Sequence, residues 1–315
     1  MQDGTLSRWT HPSVILVATD LSDLDRLMPY AMNQASLTGT RLILLHVVAA
    51  TESLSADMAG LPYYDPGAVE DSAARILEFC CQAVRKHTIV CDGLVRDGNP
   101  AQQVLEAARE FHADRIILGT RSRSKLSKLL LGSVAEQVLR SANIPVLTVG
   151  PEARLPVDAT TAERVVLHAT TLREASRPSA VLACQIAGLL NARLVVLHIL
   201  PPTNGMAREQ LPSGLESAAE QELKSLAAAT SEASLVCIEP RLVHGHPAIE
   251  ILAESEHRHA SLIVMGSTAR SGFQNLTRDR TVYKVLAHAH CPVLTLREAQ
   301  VKTPILAPAQ LAAHS

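Results

Sequence analysis

Short apolar runs alternate along this chain with longer stretches whose apolar residues recur at helical spacing. The runs are rich in Val, Ile and Leu without strict alternation, as expected of parallel strands that are buried on both faces. In the first half they predict strands at Val14–Thr19, Arg41–Val48, Thr88–Val95, Arg115–Leu118 and Pro145–Val149. The stretches between them predict helices at Asp25–Leu37, Val69–His87, Ala101–Phe111 and Val134–Ser141. This alternation predicts an α/β fold with a mostly parallel sheet flanked by helices.

The pattern occurs twice. The segment Pro145-Val-Leu-Thr-Val returns as Pro292-Val-Leu-Thr-Leu, and Gly98 and Gly119 return 147 residues later as Gly245 and Gly266. These matches predict a duplicated domain, with one copy in residues 1–150 and the other in residues 163–298. Residues 151–162 contain two prolines and no periodicity, so they are interpreted as a linker. Residues 299–315 are interpreted as a loosely ordered tail.

Composition limits the classes of function. The chain has 315 residues, a formal net charge of −2 and 47% hydrophobic residues, which suits two packed domains and gives no basic field for nucleic acid. No apolar run reaches the ~20 residues that cross a bilayer, and the first ten residues lack an apolar signal-peptide core. We therefore expect a soluble cytoplasmic protein that binds neither membranes nor nucleic acid.

Cysteine and histidine spacings do not favour a metal site. None of the six cysteines forms a CxxC pair, and they lie in or beside apolar runs, which indicates buried reduced thiols. Three His-x-His pairs have a spacing that occurs in metal-binding sites, but residues two apart on a helix do not share a face. Surface histidines are the favoured interpretation, and no metal ligand is assigned. The pairs begin at His244, His257 and His288.

The stretch from Gly119 to Ser133 is the most informative about a possible ligand. A glycine ends a predicted strand, a basic loop containing Arg121 follows, and a Gly132-Ser133 pair opens a predicted helix. Unpaired N–H groups at a helix start carry partial positive charge, so this arrangement attracts phosphate. Two simpler interpretations stay open: a loop-to-helix junction in which Ser133 is a cap, and a solvated basic loop.

On these residues the chain resembles a tandem universal stress protein. The family signature is Gly, two residues, Gly, nine residues, then Gly followed by Ser or Thr. Gly119 and Gly132-Ser133 match it, and Ser122 replaces the middle glycine. The segments Ala18-Thr19-Asp20 and His46-Val47 match the family's strand ends. The resemblance implies two open five-stranded sheets of the adenine-nucleotide alpha-hydrolase-like fold. It also implies bound ATP, ADP or AMP, with or without Mg²⁺.

The resemblance further implies how the parts assemble. Family pairs join through the last strands of their sheets, so a tandem chain would form a pseudo-two-fold pair within one molecule. A homodimer of the whole chain is a further option. The sequence identifies no protein partner.

The resemblance also assigns the site. Ligands of open parallel sheets lie beyond the carboxyl ends of the strands, and the family's strand order places the first and fourth strands side by side there. Asp20 contacts the ribose, the base edge or a phosphate-bound metal, or else caps the next helix with Ser22. Val47 corresponds to the family residue whose main chain recognises adenine. The expected cofactor-binding set is Ala18, Thr19, Asp20, Val47, Gly119, Arg121, Ser122, Gly132, Ser133 and Val134.

The second half departs from the signature. Thr171 replaces the acidic strand end, Ala269 the middle glycine, and Asp279-Arg280 the Gly-Ser pair. Asp279 would repel phosphate, so we expect one nucleotide per chain, held by the first half. No Walker lysine or base–nucleophile pair is recognisable, so we expect a stress-response or signalling module without catalytic residues. The alternatives are a slow ATPase and a structural dimer that binds no nucleotide.

Overall fold

The computed structural model describes residues 3–49, 66–120, 131–154, 164–173, 176–200, 202, 214–231, 236–268 and 280–298. The chain divides into two compact units. The first unit holds residues 1–162 and 282–297, and the second holds residues 163–281 and 298–315. The predicted tail and most of the predicted linker lie outside the described residues.

Strands and helices alternate throughout. The first half contains α1 Asp3–Thr10, β1 Val14–Thr19, α2 Leu24–Thr38, β2 Arg41–Val48, α3 Pro66–Arg85, β3 Cys91–Asp97, α4 Pro100–Glu110, β4 Arg115–Gly119, α5 Ser133–Ser141 and β5 Val146–Val149. The second half contains β6 Val165–Ala169, α6 Arg177–Leu189, β7 Arg193–Leu200, α7 Leu215–Ser231, β8 Ile238–His244, α8 Pro247–His257, β9 Leu262–Thr268, α9 Arg280–His288 and β10 Val293–Glu298.

The sheet of the first unit has the strand order β3-β2-β1-β4-β5-β10. The first five strands of this list pair in parallel, and β10 joins β5 antiparallel. The predicted α/β fold with a mostly parallel sheet is therefore confirmed. Because β1 lies between β2 and β4, the carboxyl ends of these three strands meet at one edge of the sheet, where ligands of this fold class bind.

The pair β5–β10 joins the last strands of the two sequence repeats. Leu147 faces Leu294 at its centre. The Thr148 hydroxyl donates to the Val293 carbonyl at 3.1 Å, and the Thr295 hydroxyl donates to the Val146 carbonyl at 3.2 Å. Each buried threonine thus satisfies its hydroxyl on the opposite strand, which adds two side-chain bonds to the backbone ladder.

Two local features differ from the sequence prediction. Strand β3 begins at Cys91 rather than Thr88, because Thr88 has φ 60, a left-handed value that is incompatible with an extended strand. Helix α1 was not predicted, because tertiary contacts hold it. The Arg8 guanidinium pairs with Asp114 at 2.7 Å, and the buried Arg115 donates to the Trp9 carbonyl.

The second unit repeats the topology with the order β9-β6-β7-β8, all parallel in the described pairs. This order corresponds to β4-β1-β2-β3 of the first unit, which supports a duplicated domain. The strands of both units supply a core of Val, Ile and Leu. Within the described part of the chain, no helix combines the length and apolar character needed to cross a membrane.

A buried histidine distinguishes the second unit. His168 stands on β6 where Val17 stands on β1, and it is completely buried. Its Nδ1 donates to the Val264 carbonyl at 3.1 Å, whereas its Nε2 has no hydrogen-bond partner among the described residues. Burial disfavours the charged imidazolium and lowers the pKa of His168 to about 4.

We predict that His168→Val makes the protein less sensitive to acid. Between pH 6.5 and 4 the unfolded state binds a proton that the folded state excludes, so wild-type stability falls by up to roughly 3 kcal/mol from this group. Urea unfolding of both proteins at several pH values should show a stability difference that grows as pH falls. The exposed control His87→Asn should not show this growth. If the stability difference between His168→Val and wild type were the same at every pH, the prediction would be wrong.

Candidate functional site

The turn that follows β1 is held by the side chain of its last residue. The Thr19 hydroxyl accepts a hydrogen bond from the Leu21 N–H at 2.9 Å and donates one to the Asp23 carboxylate at 2.6 Å. Leu21 has φ 68, a conformation that a bulky residue adopts only when its surroundings impose it. The hydroxyl therefore fixes a strained turn at the carboxyl end of the strand.

Asp20 lies exposed on this turn. Its Oδ1 accepts hydrogen bonds from the Ser22 N–H at 2.9 Å and the Ser22 hydroxyl at 2.7 Å. This is a local Asx-type turn rather than a cap on α2, because α2 begins at Leu24 and its N-cap residue is Asp23. The carboxylate thus lies at the strand end, in the position the sequence assigned to a ligand contact.

The end of β2 lies beside this turn. Thr19 is in register with His46, whose Nδ1 lies 3.0 Å from the Thr19 carbonyl and donates to it. Val47 is the next residue along β2 and is half-buried, so it directly follows the residue that is paired with Thr19. Ala18 pairs with Leu118 on the other side, which places the end of β4 next to the same turn.

Gly119 and Asp23 are in direct contact, a relationship that sequence reasoning missed. A Cβ added to Gly119 would overlap Oδ2 of Asp23 and lie 3.2 Å from the Arg26 guanidinium. Asp23 is buried, and burial is the main cause that raises its pKa, with the Asp20 charge adding to the effect. The Thr19 hydrogen bond and the Arg26 guanidinium, 3.8 Å away, act in the opposite direction. The signal in the sequence was an acidic residue three positions after Asp20.

The loop after β4 is closed at its base. The Gly132 N–H donates to the Thr120 carbonyl at 2.8 Å, and the Thr120 N–H donates to the Val149 carbonyl at 3.2 Å. Gly132 is the N-cap of α5 with φ −61 and ψ 143, so its backbone does not require glycine. The closure brings the start of α5 back to the end of β4. Arg121 and Ser122 lie outside the described residues.

Helix α5 presents its first N–H groups at this closure. The first bond within the helix runs from the Glu136 N–H to the Gly132 carbonyl, so the N–H groups of residues 133–135 precede the ladder. Ser133 is exposed and Val134 is half-buried. We call the assembled edge the strand-end site. Its described members are Ala18, Thr19, Asp20, Val47, Gly119, Gly132, Ser133 and Val134.

The second unit keeps the turn without the carboxylate. The Thr170 hydroxyl accepts from the Leu172 N–H at 3.1 Å, Leu172 has φ 54, and His198 Nδ1 lies 2.9 Å from the Thr170 carbonyl. Thr171 stands in place of Asp20 and shares a 2.7 Å hydroxyl–hydroxyl bond with Ser176. Ala269, Asp279 and the Arg280 side chain lie outside the described residues. Among the described side chains, no group of three His, Cys, Asp or Glu residues is placed to hold a metal ion.

Comparison with known proteins identifies the family. The model of the universal stress protein family matches residues 13–150 and again residues 163–297. The chain therefore belongs to the universal stress protein family and carries two copies of its domain, as the sequence resemblance implied.

Individual relatives agree with this assignment. A universal stress protein of Mycolicibacterium smegmatis is 27% identical over 308 residues, which span 90% of this chain and 96% of the relative. A Thermus aquaticus universal stress protein is 32% identical over 142 residues, spanning 43% of this chain and 96% of that protein. The crystal structure of a universal stress protein from Archaeoglobus fulgidus matches the fold with a TM-score of 0.70 at 20% identity, covering 91% of this chain and 99% of that one.

The contact between Gly119 and Asp23 predicts a non-additive pair of substitutions. Gly119→Ala should destabilise the protein by about 1 to 3 kcal/mol, because the new methyl group displaces a buried carboxylate from Thr19. Adding Asp23→Ala removes the overlap. The double variant should therefore lose less unfolding free energy than the two single variants lose together, by about 1 kcal/mol or more.

Urea unfolding of the four proteins measures this coupling. The matched control replaces Gly119→Ala with Gly188→Ala, an exposed glycine on α6, and should show additive effects with Asp23→Ala. If the stability effects of Gly119→Ala and Asp23→Ala were also additive, the two residues would not constrain each other.

Proposed function

We propose that the first unit binds an adenine nucleotide, ATP in particular, at the strand-end site. The observation that carries this proposal is the hydrogen bond from the Gly132 N–H to the Thr120 carbonyl. It holds the amino end of α5 against the end of β4, and β4 lies next to the β1 turn that carries Asp20. Partial positive charge and an exposed carboxylate therefore border one edge of a parallel sheet, an arrangement suited to a phosphorylated sugar.

Each part of the site would contact a different part of the nucleotide. The phosphates would lie on the N–H groups of Ser133 and Val134, with Arg121 and Ser122 on the same loop. The Asp20 carboxylate is an acceptor for ribose hydroxyl groups. The main chain at Val47, at the open end of β2, offers hydrogen bonds to adenine, with Ala18 and Thr19 forming the floor between them.

A magnesium ion bound to the phosphates fits the same donor set. Mg²⁺ in nucleotide sites is commonly held by one or two carboxylates together with phosphate oxygens and water. The Asp20 carboxylate lies exposed at the strand end, so in this alternative it would hold the ion instead of contacting the ribose. The ion would neutralise phosphate charge there.

We propose that the second unit holds no nucleotide and acts as the permanent partner of the first. Its strand end carries Thr171, whose hydroxyl is already bonded to Ser176, instead of a carboxylate. In the sequence, Asp279 stands where the first half has Gly132, and its charge would repel phosphate. In this proposal the chain is a cytoplasmic stress-response module in which nucleotide occupancy of one unit regulates assembly or partner binding.

The substitution Gly132→Asp tests the site. We expect it to weaken ATP binding at least tenfold, about 1.4 kcal/mol, because a fixed negative charge would face the phosphates. The variant should fold, since φ −61 and ψ 143 are accessible to aspartate and aspartate is a favourable N-cap. Isothermal titration calorimetry measures both affinity and stoichiometry, and wild type should saturate near one ATP per chain.

The control is His246→Asp, which adds the same charge at the N-cap of α8 in the second unit. It should leave ATP affinity unchanged. Unaltered affinity in a folded Gly132→Asp variant would remove the strand-end site from the proposal, and saturation at two ATP per chain would refute the asymmetry.

A further inference from the structure

Two cysteines of the first unit lie in direct sulfur–sulfur contact. Cys81 belongs to the buried stripe of α3, and Cys91 is the first residue of β3. Their Sγ atoms are 3.1 Å apart, and both residues are 0% exposed. An ordinary disulfide bond is about 2 Å long, so a shift of about 1 Å separates the thiol pair from a covalent link.

The surroundings make the two thiols differ in acidity. The Cys91 thiol donates its hydrogen to Cys81 Sγ. This hydrogen bond lowers the pKa of Cys81, and the nearby Arg85 guanidinium acts in the same direction. The same contact and burial raise the pKa of Cys91. Cys81 is therefore the thiol that more readily becomes a thiolate, and only the thiolate is nucleophilic.

Arg85 is held where it affects both sulfurs. Its Nε donates to the Cys91 carbonyl at 2.9 Å, and its two terminal nitrogens reach Glu78 at 2.9 Å and Asp92 at 3.9 Å. The guanidinium thus connects the last turn of α3 to the first residues of β3. The same helix and strand also meet at Gly93, where an added Cβ would lie 3.0 Å from Leu77 Cβ. Contacts one turn before and one turn after Cys81 therefore hold α3 against β3 where the two sulfurs meet.

We propose that Cys81 and Cys91 form an oxidation site that hydrogen peroxide converts to an intramolecular disulfide. The Cys81 thiolate attacks one peroxide oxygen, the O–O bond breaks, and the departing hydroxide takes up a proton to become water. This leaves a sulfenic acid on Cys81. Cys91 then gives up its proton, its sulfur attacks Cys81 sulfur as the S–O bond breaks, and the leaving hydroxide and that proton form a second water. Two thiols and one peroxide give one disulfide and two waters.

The product would lock α3 to β3, the edge strand of the sheet in the first unit. The locked residues lie at the amino end of β3, whereas the strand-end site uses the carboxyl ends of its neighbours. The inference therefore does not depend on the proposed nucleotide. Because both sulfurs are buried, the oxidant must enter when the end of α3 opens locally, so the bond should form more slowly than exposed thiols react.

The test uses the folded full-length protein and hydrogen peroxide. After oxidation, remaining thiols are alkylated with N-ethylmaleimide and the protein is digested with trypsin without reduction. We expect a cross-linked pair of peptides 76–85 and 87–96, lighter by two hydrogen atoms than the reduced pair. Without peroxide, the exposed Cys237 should be alkylated well before Cys81 and Cys91.

Three variants identify the sulfurs, because peptide 76–85 also contains the half-buried Cys80. Cys80→Ala is the matched control and should keep the cross-link, whereas Cys81→Ala and Cys91→Ala should each abolish it. Thermal melting of each variant checks that it is folded. Loss of the cross-link in Cys80→Ala, or its absence from peroxide-treated native wild type, would overturn the proposal whatever the other variants do.

Discussion

The hydrogen bond from the Thr19 hydroxyl to the Asp23 carboxylate is the interaction on which the strand-end site depends. It ties the last residue of β1 to the start of α2 across a turn that contains a left-handed leucine. It also holds the carboxylate against Gly119, so that any side chain at the end of β4 would overlap it. One buried acid thus fixes the relative positions of two strand ends. Asp20 lies on the turn that this bond closes, and β4 ends beside the same turn.

The second unit has the same turn after its first strand but lacks the carboxylate. Thr170, Leu172 and His198 reproduce the hydroxyl-to-backbone bond, the left-handed turn and the imidazole contact of the first unit. What differs is the charge at the edge, where Thr171 replaces Asp20. The turn is therefore required by the fold, since both units have it, and the carboxylate is not. The charge at this edge therefore distinguishes the two units, and we propose that a ligand of the first unit uses it.

The periodicity of apolar residues predicted the strands and helices well, because parallel strands buried on both faces leave a strong signal. Features set by contacts distant in sequence were not predictable in this way. Helix α1 is held by Arg115, and β3 is shortened by the left-handed Thr88. The signature located Gly119 and Gly132, but the role of Asp23 was hidden because its contact with Gly119 spans almost a hundred residues. The sequence also could not show that the Gly132 N–H closes the loop rather than facing a ligand.

Hydrogen–deuterium exchange of the full-length protein with and without ATP tests the central claim most directly, because it locates the ligand on the chain. The account predicts slower exchange in peptides that cover the ends of β1 and β2 and residues 119–134. It predicts no change in peptides that cover Thr171 or residues 266–281. Equal protection in both sets, or protection confined to the second unit, would contradict the claim that the nucleotide belongs to the strand end that carries Asp20.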